Sequence, residues 1–190
     1  LNRHRIAVPA FSEAPANYAA MKEGVVVGVL AADWYVGMIR KFVPELTGKW
    51  RAMPLPAWQA GGRRTSTWGG TMIGMTGQST QQELAWEFMK FVYFDTGSLA
   101  NRYRATTIIP PLKRAWDDPV FDAPDPYLGS QPLGSLFKDL APDIPSFHLN
   151  PYWAEASDRM RDAVFAATKD EKTPEQALRD LADEVRGLMK

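Results

Sequence analysis

The clearest hydrophobic pattern lies at 79–95, where Leu84, Ala85, Phe88, Phe91 and Val92 recur at helical spacing. Thr80 and Glu83 form a capping-box signature before it, Trp86 reads as core beside Phe88, and Gly97 reads as the stop. A second helix is expected after Asp33 at an N-cap position, with Met38, Ile39, Phe42 and Val43 as its apolar face and Pro44 ending it. A shorter helix is expected at 16–23, ended by Gly24. Towards the C-terminus, Asn150 caps a helix with Pro151 at its first position and Trp153, Ala156, Met160 and Val164 on its buried side. The last helix opens on Thr173-Pro174-Glu175-Gln176, a capping box with proline at N1, and carries the stripe Leu178, Leu181, Val185 and Leu188.

Between these helices the pattern changes. The run 25–30 is short, continuous and β-branched, as expected of a strand buried on both faces of a largely parallel sheet. Segments 49–55 and 71–75 read as further strands, the first bounded by Pro54 and Pro56 and the second preceded by Trp68-Gly69-Gly70. A polar, glycine-rich loop at 57–67 separates them, and 106–111 reads as extended because of its two prolines. From 117 to 151 the chain is rich in Pro, Asp and Gly, with a helical turn expected at 136–140; long irregular passages of this kind usually connect or carry function. These alternations predict an α/β fold.

Composition narrows the function. Apolar residues make up 45% of the chain, as in a folded domain. The 22 basic and 22 acidic residues cancel, which argues against a uniformly basic nucleic-acid binder. No apolar run approaches the ~20 residues that span a bilayer. Cysteine is absent, which removes zinc–thiolate sites, disulfides and thiol nucleophiles together. The two histidines, His4 and His148, form no metal-ligand motif. No phosphate loop, dinucleotide fingerprint, nucleophile elbow or zinc-protease motif occurs. The pairs Asp117/Asp118 and Asp122/Asp125 read as solvated turn acids, so neither catalyst, cofactor nor metal is expected.

The seven tryptophans are more informative. Trp34 and Trp153 each fall in the first turn of an expected helix, where a ring can project from the end of the element. Helix N-termini also offer unpaired N–H groups to a polar ligand. Sugars present apolar C–H faces and a belt of hydroxyls, so their sites need flat aromatics with fixed polar groups at the edges. Asp33 beside Trp34, and Asn150 with Tyr152 beside Trp153, match that need. Core roles for the same rings stay open at this point: exposed, mutually facing rings favour binding, whereas full burial favours packing.

At these residues the sequence resembles the C-terminal half of family 1 extracellular solute-binding proteins, the sugar-capturing subunits of ABC importers that include maltose-binding protein. The matching run begins Glu23-Gly24-Val25 and continues through Ala31-Ala32-Asp33-Trp34, Pro44-Glu45-Leu46-Thr47-Gly48-Lys49-Trp50 and Met53-Pro54-Leu55-Pro56. It goes on through Trp68-Gly69-Gly70, the helix from Glu83 to Phe91, Ile109-Pro110-Pro111 and Pro174-Glu175-Gln176-Ala177-Leu178, covering about 16–190.

The resemblance implies a type II periplasmic-binding-protein fold, seen as the C-terminal lobe plus one returning segment of the N-terminal lobe. The expected division is 1–60 and 112–190 for the C-terminal lobe and 61–111 for the returning segment. It implies that Trp34 stacks on the ligand, that Trp153 forms a second platform, and that Trp68, Gly69 and Gly70 line the cleft. Asp33 and Tyr152 would supply polar contacts, with Arg104 and the loop residue Trp58 as further candidates. The implied partners are a sugar-like solute and the membrane permease of an ABC importer, in an extracellular or periplasmic location, with a lipoprotein anchor as an option for the full-length protein. The N-terminal half of the parent chain would complete the fold, and without it ligand binding is expected to be weak, because closure between lobes supplies the remaining contacts. The competing reading is a carbohydrate-active enzyme or its accessory binding domain, which would need paired carboxylates near the tryptophans.

Overall fold

The computed structural model describes residues 15–146 and 151–189. Seven α-helices follow in chain order: α1 (Pro15–Lys22), α2 (Trp34–Phe42), α3 (Gln82–Phe94), α4 (Thr96–Thr106), α5 (Leu133–Leu140), α6 (Trp153–Thr168) and α7 (Pro174–Leu188). Short 3₁₀ turns, four of them opened by proline within their first two positions, fill the connections. The described residues fall into two units, 15–145 and the helical hairpin from 151 onwards. None of the helices is long and apolar enough to cross a membrane.

Two clusters form the interior of the first unit. In one, Tyr18 and Met21 of α1 and Tyr35 and Ile39 of α2 pack with Val43, Leu46, Tyr127, Leu128 and Leu133. The Tyr127 hydroxyl donates to the Val43 carbonyl oxygen at 3.0 Å, so a buried polar tip closes the end of α2 instead of leaving it unpaired. In the other, Leu99, Ala100 and Tyr103 of α4 pack on Ala115 and Phe121, with the rings of Tyr103 and Phe121 4.7 Å apart. Helix α5 reaches this second cluster at Gly134, whose Cα faces the Phe121 carbonyl at a distance no Cβ could tolerate.

The expected strands form no sheet among the described residues; the one bridge there joins Asp125 to Gln131. Segment 25–30 is extended but open, with Val27 82% and Leu30 72% exposed. A strand buried on both faces needs a neighbour on each edge, and the described chain supplies helices and prolyl turns instead. Segment 71–75 is likewise extended and exposed. In 49–55 a side chain stands in for a strand: the Gln131 carboxamide accepts from Ala52 N–H at 2.8 Å and donates to the Ala52 carbonyl at 2.7 Å.

The helix expected at 79–95 begins at Gln82 without a side-chain cap, and its residues Leu84, Trp86, Phe88 and Phe91 are exposed, so Trp86 is not core. Gly97 is not its stop. Asp95 ends α3 and caps α4, accepting from Ser98 N–H at 2.7 Å, and Gly97 lies inside α4.

In the hairpin, α6 starts at Trp153 with Tyr152 at its cap, so Pro151 precedes the helix; Asn150 lies outside the described residues. Trp153, Met160 and Val164 are exposed, and the groove between the two helices is lined mainly by charged side chains, among them Asp158, Asp162 and Asp180, with Ala163, Ala166, Ala177 and Leu181 between them. Arg159 spans it, donating to Glu155 at 2.6 Å and Glu184 at 2.9 Å. Helix α7 carries the expected capping box in full, with Thr173 and Gln176 each bonding the other's backbone. Its Leu178 points away from the buried Ala177 and is exposed.

Two glycine substitutions separate packing from propensity. Gly134→Ala drives a methyl into the Phe121 carbonyl and should destabilise the intact protein by about 1–3 kcal/mol. Gly187→Ala in α7 meets nothing within 4 Å and should stabilise it by about 0.5–1 kcal/mol. Urea denaturation of both variants checks the opposite signs.

Candidate functional site

The site is built outward from the first residue of α2. Asp33 accepts from the Trp34 N–H with Oδ1 at 2.8 Å and from the Ile109 N–H with Oδ2 at 2.6 Å. One carboxylate therefore caps α2 and holds the chain beyond α4 against it. The Asp33 carbonyl oxygen accepts from the Thr107 hydroxyl at 2.7 Å, and the same hydroxyl oxygen accepts from the Gly37 N–H at 3.0 Å. The Thr106 carbonyl, 2.6 Å from that hydroxyl, competes for its single proton. The approach is close: a Cβ on Gly37 would meet the Thr106 carbonyl oxygen at 2.8 Å.

Thr107 is 2% exposed and has φ 60, ending α4 in the left-handed region. A β-branched residue is unusual there, and such strain costs on the order of 1–3 kcal/mol. Nothing in the Thr-Thr-Ile-Ile pattern signals it, and the expectation of simple extended chain at 106–111 misses the turn.

Trp34 rises from this clamped corner. Its ring packs partly on the first core cluster and lies edge-on to Tyr35, with centroids 5.8 Å apart. The Trp68 ring stands 6.3 Å away at 57°, so the pair forms a tilted, open arrangement. Trp68 is 59% exposed. Gly69 follows with φ 87, and neither it nor Gly70 has an atom within 4 Å of where a Cβ would sit, so the backbone beside Trp68 is open to an approaching molecule.

The other candidate residues lie on other elements. Trp58 is fully exposed at the head of a loop closed by the Leu55 N–H donating to Arg64 O at 2.9 Å, and it makes no ring contact among the described residues. Arg104 donates to Asn101 Oδ1 at 2.8 Å on α4 and lies 3.7 Å from Asp118. Tyr152 and Trp153 open α6 in the hairpin, both partly exposed.

The acids divide by environment. Asp122 fits the solvated reading: it is exposed and held below the usual carboxylate range by the Lys138 ammonium and the Ser135 hydroxyl. Asp125 does not. Its side chain is largely buried, pairs with Arg40 at 2.5 Å and accepts from the Tyr127 N–H at 3.0 Å. Burial pushes the Asp33 carboxyl up, outweighing the N–H bonds from Ile109 and Trp34, which pull it down.

No protein-family model matches the sequence. It is 33% identical over 178 residues to the arabinooligosaccharide-binding protein of Bacillus subtilis strain 168, covering 89% of this chain. It is 26% identical over 176 residues to the arabinooligosaccharide-binding protein of Halalkalibacterium halodurans, covering 90% of this chain. The chain spans 40% of the length of each of these relatives. Among solved structures, 97% of the chain superimposes with a TM-score of 0.79 and 16% identity on 47% of the ABC transporter associated binding protein from B. animalis subsp. lactis Bl-04, determined in complex with β-1,6-galactobiose. The chain has a periplasmic-binding-protein fold of type II, in part. Among the described residues the stretches 25–30 and 71–75 pair with no strand. These relatives are binding proteins rather than enzymes.

Because the folded state holds Asp33 above its ordinary value of 3.8, that group favours folding below about pH 3.8 and loses its contribution as pH rises through the raised value. The stability of the intact protein minus that of its Asp33→Asn variant should therefore fall as pH rises from 3.5 towards neutrality. Denaturation curves across that range check it, and a difference that grows with pH would mean that the N–H bonds outweigh burial.

Proposed function

We propose that this chain is part of the substrate-binding component of an ABC importer, which holds a carbohydrate-like solute reversibly and without chemical change. The observation that carries the reading is the Trp34–Trp68 pair: two tilted rings 6.3 Å apart, Trp34 half-buried at a capped helix start and Trp68 exposed. Flat apolar faces set at an angle suit the C–H faces of a sugar, and the open Gly69-Gly70 backbone leaves N–H and carbonyl groups for its hydroxyls. The relatives support an oligosaccharide as the solute: two are arabinooligosaccharide-binding proteins, and the structural neighbour holds a galactobiose.

In this reading Trp34 is the main stacking face, and Trp68, Gly69 and Gly70 form the wall beside it. Trp153 with Tyr152 supplies a second platform, and Trp58 and Arg104 are outlying contacts. The lobes divide as 1–60 with 112–190 against 61–111. The exposed face of α3, inside 61–111, is the surface that the other lobe's remaining residues cover. The partners are the solute, the permease subunits and the N-terminal half of the protein, and the location is extracellular or periplasmic.

Calorimetric titration of the intact protein with arabinotriose and β-1,6-galactobiose tests this. Trp34→Ala and Trp68→Ala should each raise Kd about tenfold or more, the loss expected of a well-packed aromatic contact. Absence of binding to any sugar of a mono- to oligosaccharide panel, or unchanged Kd in both variants, would overturn it.

A further inference from the structure

We propose that Thr107 and Asp33 are positioning residues of the sugar site: together they fix the angle at which Trp34 faces Trp68, and neither needs to touch the solute. The proposal rests on the reading of Trp34 and Trp68 as the stacking pair, and it assigns Asp33 a different part from that of a polar ligand contact.

Geometry carries it. Both Asp33 oxygens receive backbone N–H groups, one from Trp34 itself and one from Ile109, and the same residue's carbonyl receives the Thr107 hydroxyl. That hydroxyl oxygen also receives the Gly37 N–H from one turn further along α2. The first turn of α2, from which the Trp34 ring projects, is thus tied at three points to the chain that leaves α4. The ties span 70, 74 and 76 residues of sequence, so they set the placement of the ring and not merely the local helix start.

The backbone of Thr107 argues in the same direction. Glycine or asparagine is the ordinary residue at a left-handed helix end, and either would sit there with less strain. A threonine in that conformation supplies something glycine cannot, a hydroxyl at the crossing of α2 and the α4 exit. Strain kept at one residue beside a ligand-facing ring is the pattern of a pre-organised site. Pre-organisation matters for stacking, because a ring already held at its binding angle loses little freedom when the ligand arrives.

The experiment compares Thr107→Gly, Thr107→Ser, Asp33→Asn and Trp34→Ala in the intact protein. Three readouts are used: melting temperature, the near-ultraviolet circular dichroism of the coupled tryptophans without ligand, and Kd for arabinotriose and β-1,6-galactobiose. Thr107→Gly relieves the left-handed strain but removes the hydroxyl. It should melt within a few degrees of the wild type, lose the coupled-ring signal and bind about tenfold more weakly. Thr107→Ser should keep the signal and bind within about twofold of the wild type. Asp33→Asn keeps the cap on Trp34 but gives up the tie to Ile109, and should weaken binding with a partial change of the ring signal.

A glycine variant with wild-type ring signal and wild-type Kd would overturn the proposal, as would a serine variant as weak as the glycine one. If the glycine variant does not fold, Asp33→Asn decides: a changed signal with weaker binding upholds positioning, and an unchanged signal overturns it. Failure of the sugar reading is separable. Trp34→Ala with undiminished sugar binding removes Trp34 from the site, whereas the ligand-free ring signal of Thr107→Gly still shows whether the clamp orients the ring.

Discussion

A buried hydroxyl must find partners for its proton and its lone pairs, and Thr107 finds them at the start of α2 and on the residue before it. Its one proton is shared between the carbonyl oxygens of Asp33, at the start of α2, and Thr106, and its oxygen receives the Gly37 N–H one turn later in α2. Other features of the first unit are arranged around that meeting. Gly37 has no side chain because the Thr106 carbonyl occupies the space. Asp33 has both oxygens turned to backbone N–H groups. Pro110 follows in extended chain, with its carbonyl taking the Trp116 indole N–H at 2.8 Å. Replacing any one of these partners leaves a polar group without its mate in a partly buried place, which costs about 0.5–1.5 kcal/mol.

The clamp also connects two cores that share few side chains. Ile39 and Tyr35 lie in the cluster of α1 and α2, while Leu99 and Tyr103 lie in that of α4. Helix α2 meets α4 where the clamp sits. Polar ties join apolar clusters here because both helices end at the meeting point, and helix ends carry unpaired N–H and carbonyl groups that need partners. The Gln131 carboxamide does comparable work at Ala52, and the Arg40–Asp125 pair at the far end of α2. Burial of the Tyr103 and Tyr127 hydroxyls, which pushes both up to about 12, belongs to the same economy of satisfied polar tips inside the clusters.

What the sequence made legible was local. Asp33 as a cap, Gly24 as a stop and the Thr173–Gln176 box each depend on a few neighbouring residues, and each stands as expected. That Trp34 opens a helix could also be read; that its ring meets Trp68, from a different stretch of chain, could not. The strands could not be judged from their own residues. Val25 to Leu30 carry the apolar run of a buried strand, but whether they are buried depends on neighbours that the described chain lacks. The faces of α3 and α6 went astray for a related reason: periodicity names the apolar side of a helix without saying what covers it. Asp125 looked like any turn acid until Arg40, 85 residues away, came beside it. Thr107 had no local signal at all.

The acids near the rings are turned towards the protein itself. Glycosidic cleavage needs two carboxyl groups on opposite sides of the bond, with about 5–9.5 Å between them and freedom to exchange protons. Asp33 is the acid next to Trp34, and its oxygens are turned towards the protein's own backbone. Asp125 faces Arg40, and Asp122 faces Lys138 on the surface. These acids are engaged in holding the fold, whereas the Trp34 ring packs on the core from one side and the Trp68 ring is exposed. In the proposed reading, a surface of that kind gains from apolar contact and from having its geometry set in advance.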